Sequence, residues 1–202
     1  MKNIVVICLF ALATVQLNAA DRVGDFALLD QDGYFHQMSW YNDHAAVALL
    51  VQANGSRGTL NALAEFEELQ TRYEELGVEF FLLNPTGTQD RDSVKAEMAR
   101  NGSDMKVLLD DNQLVSEALG VEKTGEVFLF DPNAFEVIFR GPVGAEFESA
   151  INYTLAGGTI PNQVVATTAG ESIAFPARVA HDRNLPSYER DIAPIIIDNC
   201  AS

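Results

Sequence analysis

Ser56 stands in Asn54-Gly-Ser-Arg-Gly58, a loop whose hydroxyl sits two residues before a glycine. A serine nucleophile needs a base to take its proton and N–H donors for the oxyanion. The strand-to-helix elbow that serves this chemistry also has a glycine two residues before the serine, where this chain has Asn54. His36, His44 and His181 are the bases of the right type, and no motif ties any of them to Ser56. They are scattered, without the i, i+4 spacing of a helical ligand pair, so no metal site is expected. Cys8 and Cys200 are too few for a disulfide framework or a cysteine-based zinc site. Glu65, Glu67, Glu68, Glu74 and Glu75 cluster, but they fall largely off an apolar stripe and read as a solvated helix face.

Composition narrows the field further. The 29 acids exceed the 13 bases by the formal charge of −16. Phosphate backbones and anionic bilayers are bound by clustered Lys and Arg, so the charge argues against nucleic acid as a partner and disfavours an anionic membrane surface. With 48% hydrophobic and 21% charged residues, the chain is too apolar for disorder and can bury a core. Its 202 residues allow one domain with a remainder of about a third.

Residues 1–20 read as a secretory signal peptide: Lys2, an uncharged apolar run over 4–15, then Asn18-Ala19-Ala20 before Asp21. The run is shorter than the ~20 residues that cross a bilayer. Export to the periplasm or the exterior is expected, with no membrane attachment after cleavage. Cys200 is then the one cysteine left, and no internal disulfide can form.

The elements that must position Ser56 follow from periodicity and turn chemistry. Residues 26–29 and Tyr34-Phe35 flank Asp30-Gln31-Asp32-Gly33 as a hairpin. The run over 45–51 (AAVALLV) has the continuous hydrophobicity of a central parallel strand. Thr59 is placed to cap the next helix, whose stripe is Leu60, Leu63, Phe66, Leu69, Tyr73 and Leu76, ending at Gly77. A strand over 78–83 is stopped by Asn84-Pro85. Asp92 or Ser93 caps a helix running to Arg100, and a strand at 107–109 precedes a short helix over 112–119. Strands over 127–130 and 135–140 flank Asp131-Pro132-Asn133-Ala134, and a helix over 145–156 closes at Gly157-Gly158. Alternation of strands and helices implies an α/β fold with a mixed, mainly parallel sheet and helices on both faces. The domain spans 21–157; residues 158–186 read as a tail or linker, and 187–202 begin something helical again.

This order, with Phe128-Leu-Phe-Asp-Pro132 and Val137-Ile-Phe-Arg-Gly141 last, resembles the thioredoxin fold of the redoxin, peroxiredoxin-like (AhpC/TSA) branch. Gly77-Val-Glu-Phe-Phe-Leu-Leu-Asn84 looks like its second central strand. The resemblance implies a reactive cysteine in the loop after the first central strand, at a helix start whose dipole lowers thiol pKa. Ser56 stands at that position, in a loop similar to the Gly-Asn-Gly-Cys-Pro of exported bacterial redoxins. A hydroxyl cannot cycle through a sulfenic acid or a disulfide. The family's proline facing the cysteine aligns with Gly125, and the peroxidase Pro and Thr before it are absent, although Arg140 stands near the family's arginine. A cysteine placed at 56 is expected to titrate below the ordinary ~8.5.

Residues 188–202 resemble the opening helix of a c-type cytochrome module. Cys200-Ala201-Ser202 supplies the first cysteine and both spacers of Cys-x-x-Cys-His. Haem is therefore expected only in a longer chain, with Cys200 as one attachment point and no cofactor in residues 1–202. Together these readings describe an exported, redox-degenerate domain, structural or docking in role. Its partners would be downstream domains of the same polypeptide or a separate redox protein. The alternative is a thiol-disulfide oxidoreductase or peroxiredoxin-type antioxidant enzyme. The native gene is expected to continue with Cys-His directly after Ser202. The extended protein, exported with haem-maturation machinery, should keep haem on a denaturing gel while the 202-residue form does not, and a stop codon after Ser202 refutes the reading.

Overall fold

In a computed structural model, the structure describes residues 22–158, 163–166, 169–176, 186–187, 190 and 192–200, with the side chains of 198–200 excepted. The expected leader over 1–20, His181 and residues 201–202 lie outside the described residues. Strands β1 (Ala27–Asp30), β2 (Phe35–Gln37), β3 (Ala46–Val51), β4 (Val78–Asn84), β5 (Val107–Leu109), β6 (Glu126–Asp131), β7 (Glu136–Pro142) and β8 (Gln163–Val164) form one sheet. Their order is β2-β1-β5-β4-β3-β6-β7-β8. The sheet is mixed. Its parallel part is the centre, β5-β4-β3, together with the β7–β8 edge, rather than most of the sheet. The first hairpin attaches antiparallel through β1, and β6 returns antiparallel against β3.

All six residues of β3 are buried, because helices cover both faces of the centre. Alternation sends Ala46, Ala48 and Leu50 to one face and Val47, Leu49 and Val51 to the other. The first face packs on α1 (Arg57–Tyr73), α2 (Arg91–Asn101) and α4 (Ala145–Leu155); the second packs on α3 (Leu114–Leu119) and on Met38 of a 3-10 turn. A last helix, α5, spans Ala193–Cys200.

Several boundaries differ from the sequence reading, for local reasons. The cap of α1 is Ser56, not Thr59: Ser56 Oγ accepts from Thr59 N–H at 3.1 Å, while Thr59 Oγ1 accepts from Ala53 N–H at 3.2 Å. Of the expected stripe, Leu63, Phe66, Leu69 and Tyr73 are buried, whereas Leu60 and Leu76 at its ends are exposed. The helix proper stops at Tyr73, and a 3-10 turn carries the chain to Gly77, which takes the left-handed φ of 98°. Asp90 caps α2 in place of Asp92 or Ser93, accepting from Ser93 N–H at 2.8 Å. The segment expected as a tail is built into the domain where described. β8 pairs with β7, and residues 169–176 run as a strap whose Ile173 and Phe175 pack on the second core.

Phe66 sits at the middle of the α1 face, fully buried, 5.2 Å from the ring of Phe80 and 6.2 Å from that of Phe147. Truncation there removes apolar contact and leaves a cavity that rigid neighbours cannot fill. Phe66→Ala is expected to destabilise the domain by about 3–5 kcal/mol, read from the urea midpoint at unchanged m-value.

Candidate functional site

β3 delivers the chain into Gln52-Ala53-Asn54-Gly55 and then into α1. Amide side chains fix this loop from beneath. The buried Gln52 donates to Asn54 Oδ1 at 3.0 Å, and its own carbonyl accepts from Asn84 Nδ2 at 2.8 Å. Gln89 Oε1 joins them, accepting from Asn84 Nδ2 at 2.9 Å and from Asn54 N–H at 3.1 Å. Gly55 N–H donates to Glu97 Oε1 at 2.8 Å, and Glu97 is ion-paired with Arg100. A loop with this many satisfied polar groups presents Ser56 in one place.

Ser56 Oγ lies 2.7 Å from Thr124 Oγ1, and both hydroxyls lie 2.6 Å from Oε2 of Glu171, to which they donate. The same carboxylate accepts from Arg57 N–H at 3.1 Å and from Gly58 N–H at 3.3 Å. These are first-turn amides of α1, which no carbonyl inside the helix can satisfy, and their dipoles favour a negative charge. The hydroxyl bonds from Ser56 and then Thr124, followed by the Arg57 amide, hold the Glu171 carboxyl well below the usual value of 4.5, at about 2. Because the folded-state value is lowered, the stabilisation is complete above the ordinary carboxylate range and is lost as pH falls toward 2.

Close backbone approach is what lets Glu171 in. A Cβ on Gly58 would stand 2.6 Å from Thr124 O and 2.7 Å from Gly170 Cα. One on Gly125, whose φ is +77°, would stand 2.5 Å from Gly58 O. Gly125 N–H also donates to Val51 O at 2.8 Å, tying the end of β3 to the turn before β6. Proline at 125 would have no N–H for that bond and could not adopt the positive φ. The site therefore brings together two of the sequence-derived positions, Ser56 and Gly125.

The others are elsewhere. Arg140 on β7 pairs with Glu126 Oε1 at 2.8 Å and with Glu122 Oε1 at 3.1 Å, and lies over the ring of Phe128. Burial lowers its pKa, but those two carboxylates outweigh it and raise the value above normal. It does not line the cleft of about 580 Å³ that opens beside Ser56, Thr86, Asp111, Gln113 and Glu171. His36 is bonded to Asp30 at 2.9 Å and Tyr41 at 2.7 Å, and His44 to Asp43 at 2.7 Å; neither lines the cleft. Cys200 is the last residue of α5. Among the described residues, no group of three or more His, Cys, Asp or Glu could hold a metal ion. Thr124 and Glu171 were not legible in advance, since neither belongs to a motif and Glu171 lies 115 residues from its partner Ser56.

A hairpin on a parallel centre, with a helix N-terminus facing the turn before the next hairpin, defines a thioredoxin-like fold. The chain belongs to the AhpC/TSA family, whose model matches residues 19–138. Solved structures agree with the fold. A hypothetical protein from Sinorhizobium meliloti superposes with a TM-score of 0.65 at 20% identity, covering 76% of this chain and 92% of that one. Peroxidoxin BcpB from Mycobacterium tuberculosis gives 0.54 at 20% identity, over 68% and 96% of the two chains. An exposed lipoprotein thioredoxin from Streptococcus pneumoniae gives 0.52 at 21%, over 66% and 99%. No curated protein matches the sequence.

Glu171 works against the expected lowering for a cysteine at 56. The helix N-terminus favours a thiolate there, but a carboxylate whose oxygen is 2.6 Å from the present Oγ repels one. In a Cys8→Ser/Cys200→Ser background, Ser56→Cys should give a thiol about one unit or more above that of Ser56→Cys/Glu171→Gln. Alkylation rate against pH measures both, and equal values would mean that the carboxylate does not act on position 56.

Proposed function

We propose that this chain is an exported, redox-degenerate thioredoxin-fold domain that serves as a structural or docking module of a larger redox protein. One observation carries the reading. At the start of α1, where a thiol enzyme of this fold would hold its thiolate, a hydroxyl is bound to a carboxylate of the same chain. A serine oxygen has neither the acidity nor the accessible oxidation states of sulfur. Glu171 also supplies the negative charge that the helix start would otherwise stabilise on a reactive atom.

Export is supported by the leader pattern over 1–20 and by the likeness to an exposed lipoprotein thioredoxin. No described helix is long and apolar enough to cross a membrane. The partners would be downstream modules of the same polypeptide or a separate redox protein. Family membership favours the alternative of a thiol-disulfide oxidoreductase or a peroxiredoxin-type enzyme, but the sequence has cysteines only at 8 and 200.

The purified chain is expected neither to speed insulin reduction by dithiothreitol nor to consume peroxide above a no-protein control. Turnover that persists in Cys8→Ser/Cys200→Ser would overturn the degenerate reading, since the chain would then act without any thiol.

A further inference from the structure

The strap over 169–176 lies beyond the residues matched by the family model, and it meets the domain in the manner of a bound peptide. Thr124 N–H donates to Glu171 O at 2.9 Å, and Ile173 N–H donates to Glu122 O at 2.9 Å. Lys123 and Ser172 face each other as an antiparallel bridge. Gln113, a buried residue with φ of 60°, donates from Nε2 to Ala174 O at 2.8 Å. Only Ile173 and Phe175 of the strap are partly buried; its other residues, Glu171 included, are exposed. The geometry points to a peptide-docking site built from the Glu122–Thr124 edge and the α1 N-terminus. It takes an extended segment with an acidic residue after a glycine, and residues 169–176 are its resident ligand.

Four features define what fits. The paired backbone groups demand an extended chain, as in strand addition. Ser56, Thr124 and the amides of Arg57 and Gly58 converge on one carboxylate, and bonds to a charged acceptor are roughly twice as strong as neutral ones. The residue before the acid must be glycine: Gly170 has φ of +99°, and a Cβ there would stand 2.0 Å from Thr124 O. Two positions beyond the acid, the aliphatic Ile173 reaches the second core. This inference rests on the docking reading and places one docking site at the start of α1, with the strap as its occupant. Tethering gives the strap a high effective concentration, so a free peptide competes poorly with it in the unaltered chain.

Gly170→Ala should eject the strap while leaving every residue of the receiving site in place. Carried out on the full chain, it should shift the amide resonances of Arg57 and Gly58, with the β3 and β4 amides unchanged. A synthetic peptide of sequence Ala-Gly-Glu-Ser-Ile-Ala-Phe-Pro should return those resonances toward their original positions. The same peptide with Gln for Glu should bind about tenfold or more weaker. The unaltered chain should bind neither peptide at the same concentration. An unshifted Arg57 and Gly58 in both Gly170→Ala and Glu171→Gln would overturn the proposal, because the strap would then be a fixed part of the fold. So would an ejected strap whose peptide does not bind, or equal binding of the Glu and Gln peptides. Thiol-independent turnover would sink the docking reading without moving these resonances, so the two failures are distinct.

Discussion

The first turn of α1 leaves backbone N–H groups that nothing inside the helix can accept, and the arrangement of the site follows from how they are answered. Ser56 takes the amide of Thr59. Glu171 takes those of Arg57 and Gly58, and its charge is balanced by the helix dipole and two hydroxyls. In a thiol enzyme of this fold the same amides would favour a thiolate. Here the negative charge comes from a glutamate far along the chain, and it is already in place in the resting protein.

Delivering that carboxylate requires three stretches of backbone to meet with almost no side chain between them. Gly58, Gly125 and Gly170 are those points, and at each a single methyl would collide with carbonyl oxygen. Gly125 serves twice, since its N–H also closes onto Val51 O at the end of β3. The amide cluster of Gln52, Asn84 and Gln89 then holds the loop at a height where Ser56 can reach Thr124. The α1 start, the turn before β6 and the strap are thus one polar unit supported by a buried parallel centre.

Much of the framework was legible in the chain. The uninterrupted hydrophobicity of 45–51 marks a strand covered on both faces, and β3 is buried throughout. The Asp-Gly turn at 30–33 is made by Asp30 Oδ1 accepting from Asp32 and Tyr34 N–H, a local bond that local sequence specifies. Helix starts were less legible, because Ser56, Thr59, Asp90, Asp92 and Ser93 are all competent caps. Which one serves depends on where the preceding strand releases the chain. The exposure of Leu60 and Leu76 has a similar origin: periodicity marks a face, and the length of the sheet beneath decides how much of it is covered.

The sequence by itself determined the order of elements from β1 to α4, the family and the absence of sulfur at position 56, because each depends on neighbouring residues or on identity at one site. It also placed Gly125 opposite Ser56 through resemblance to a known motif. Only the tertiary structure decided that Arg140 is neutralised by Glu122 and Glu126. The same holds for residues 169–176, which resemble a linker in composition yet cross the helix start with Glu171. Contacts across more than a hundred residues leave no periodic or compositional trace. They exist only once the folded sheet has brought both ends to the same few ångströms.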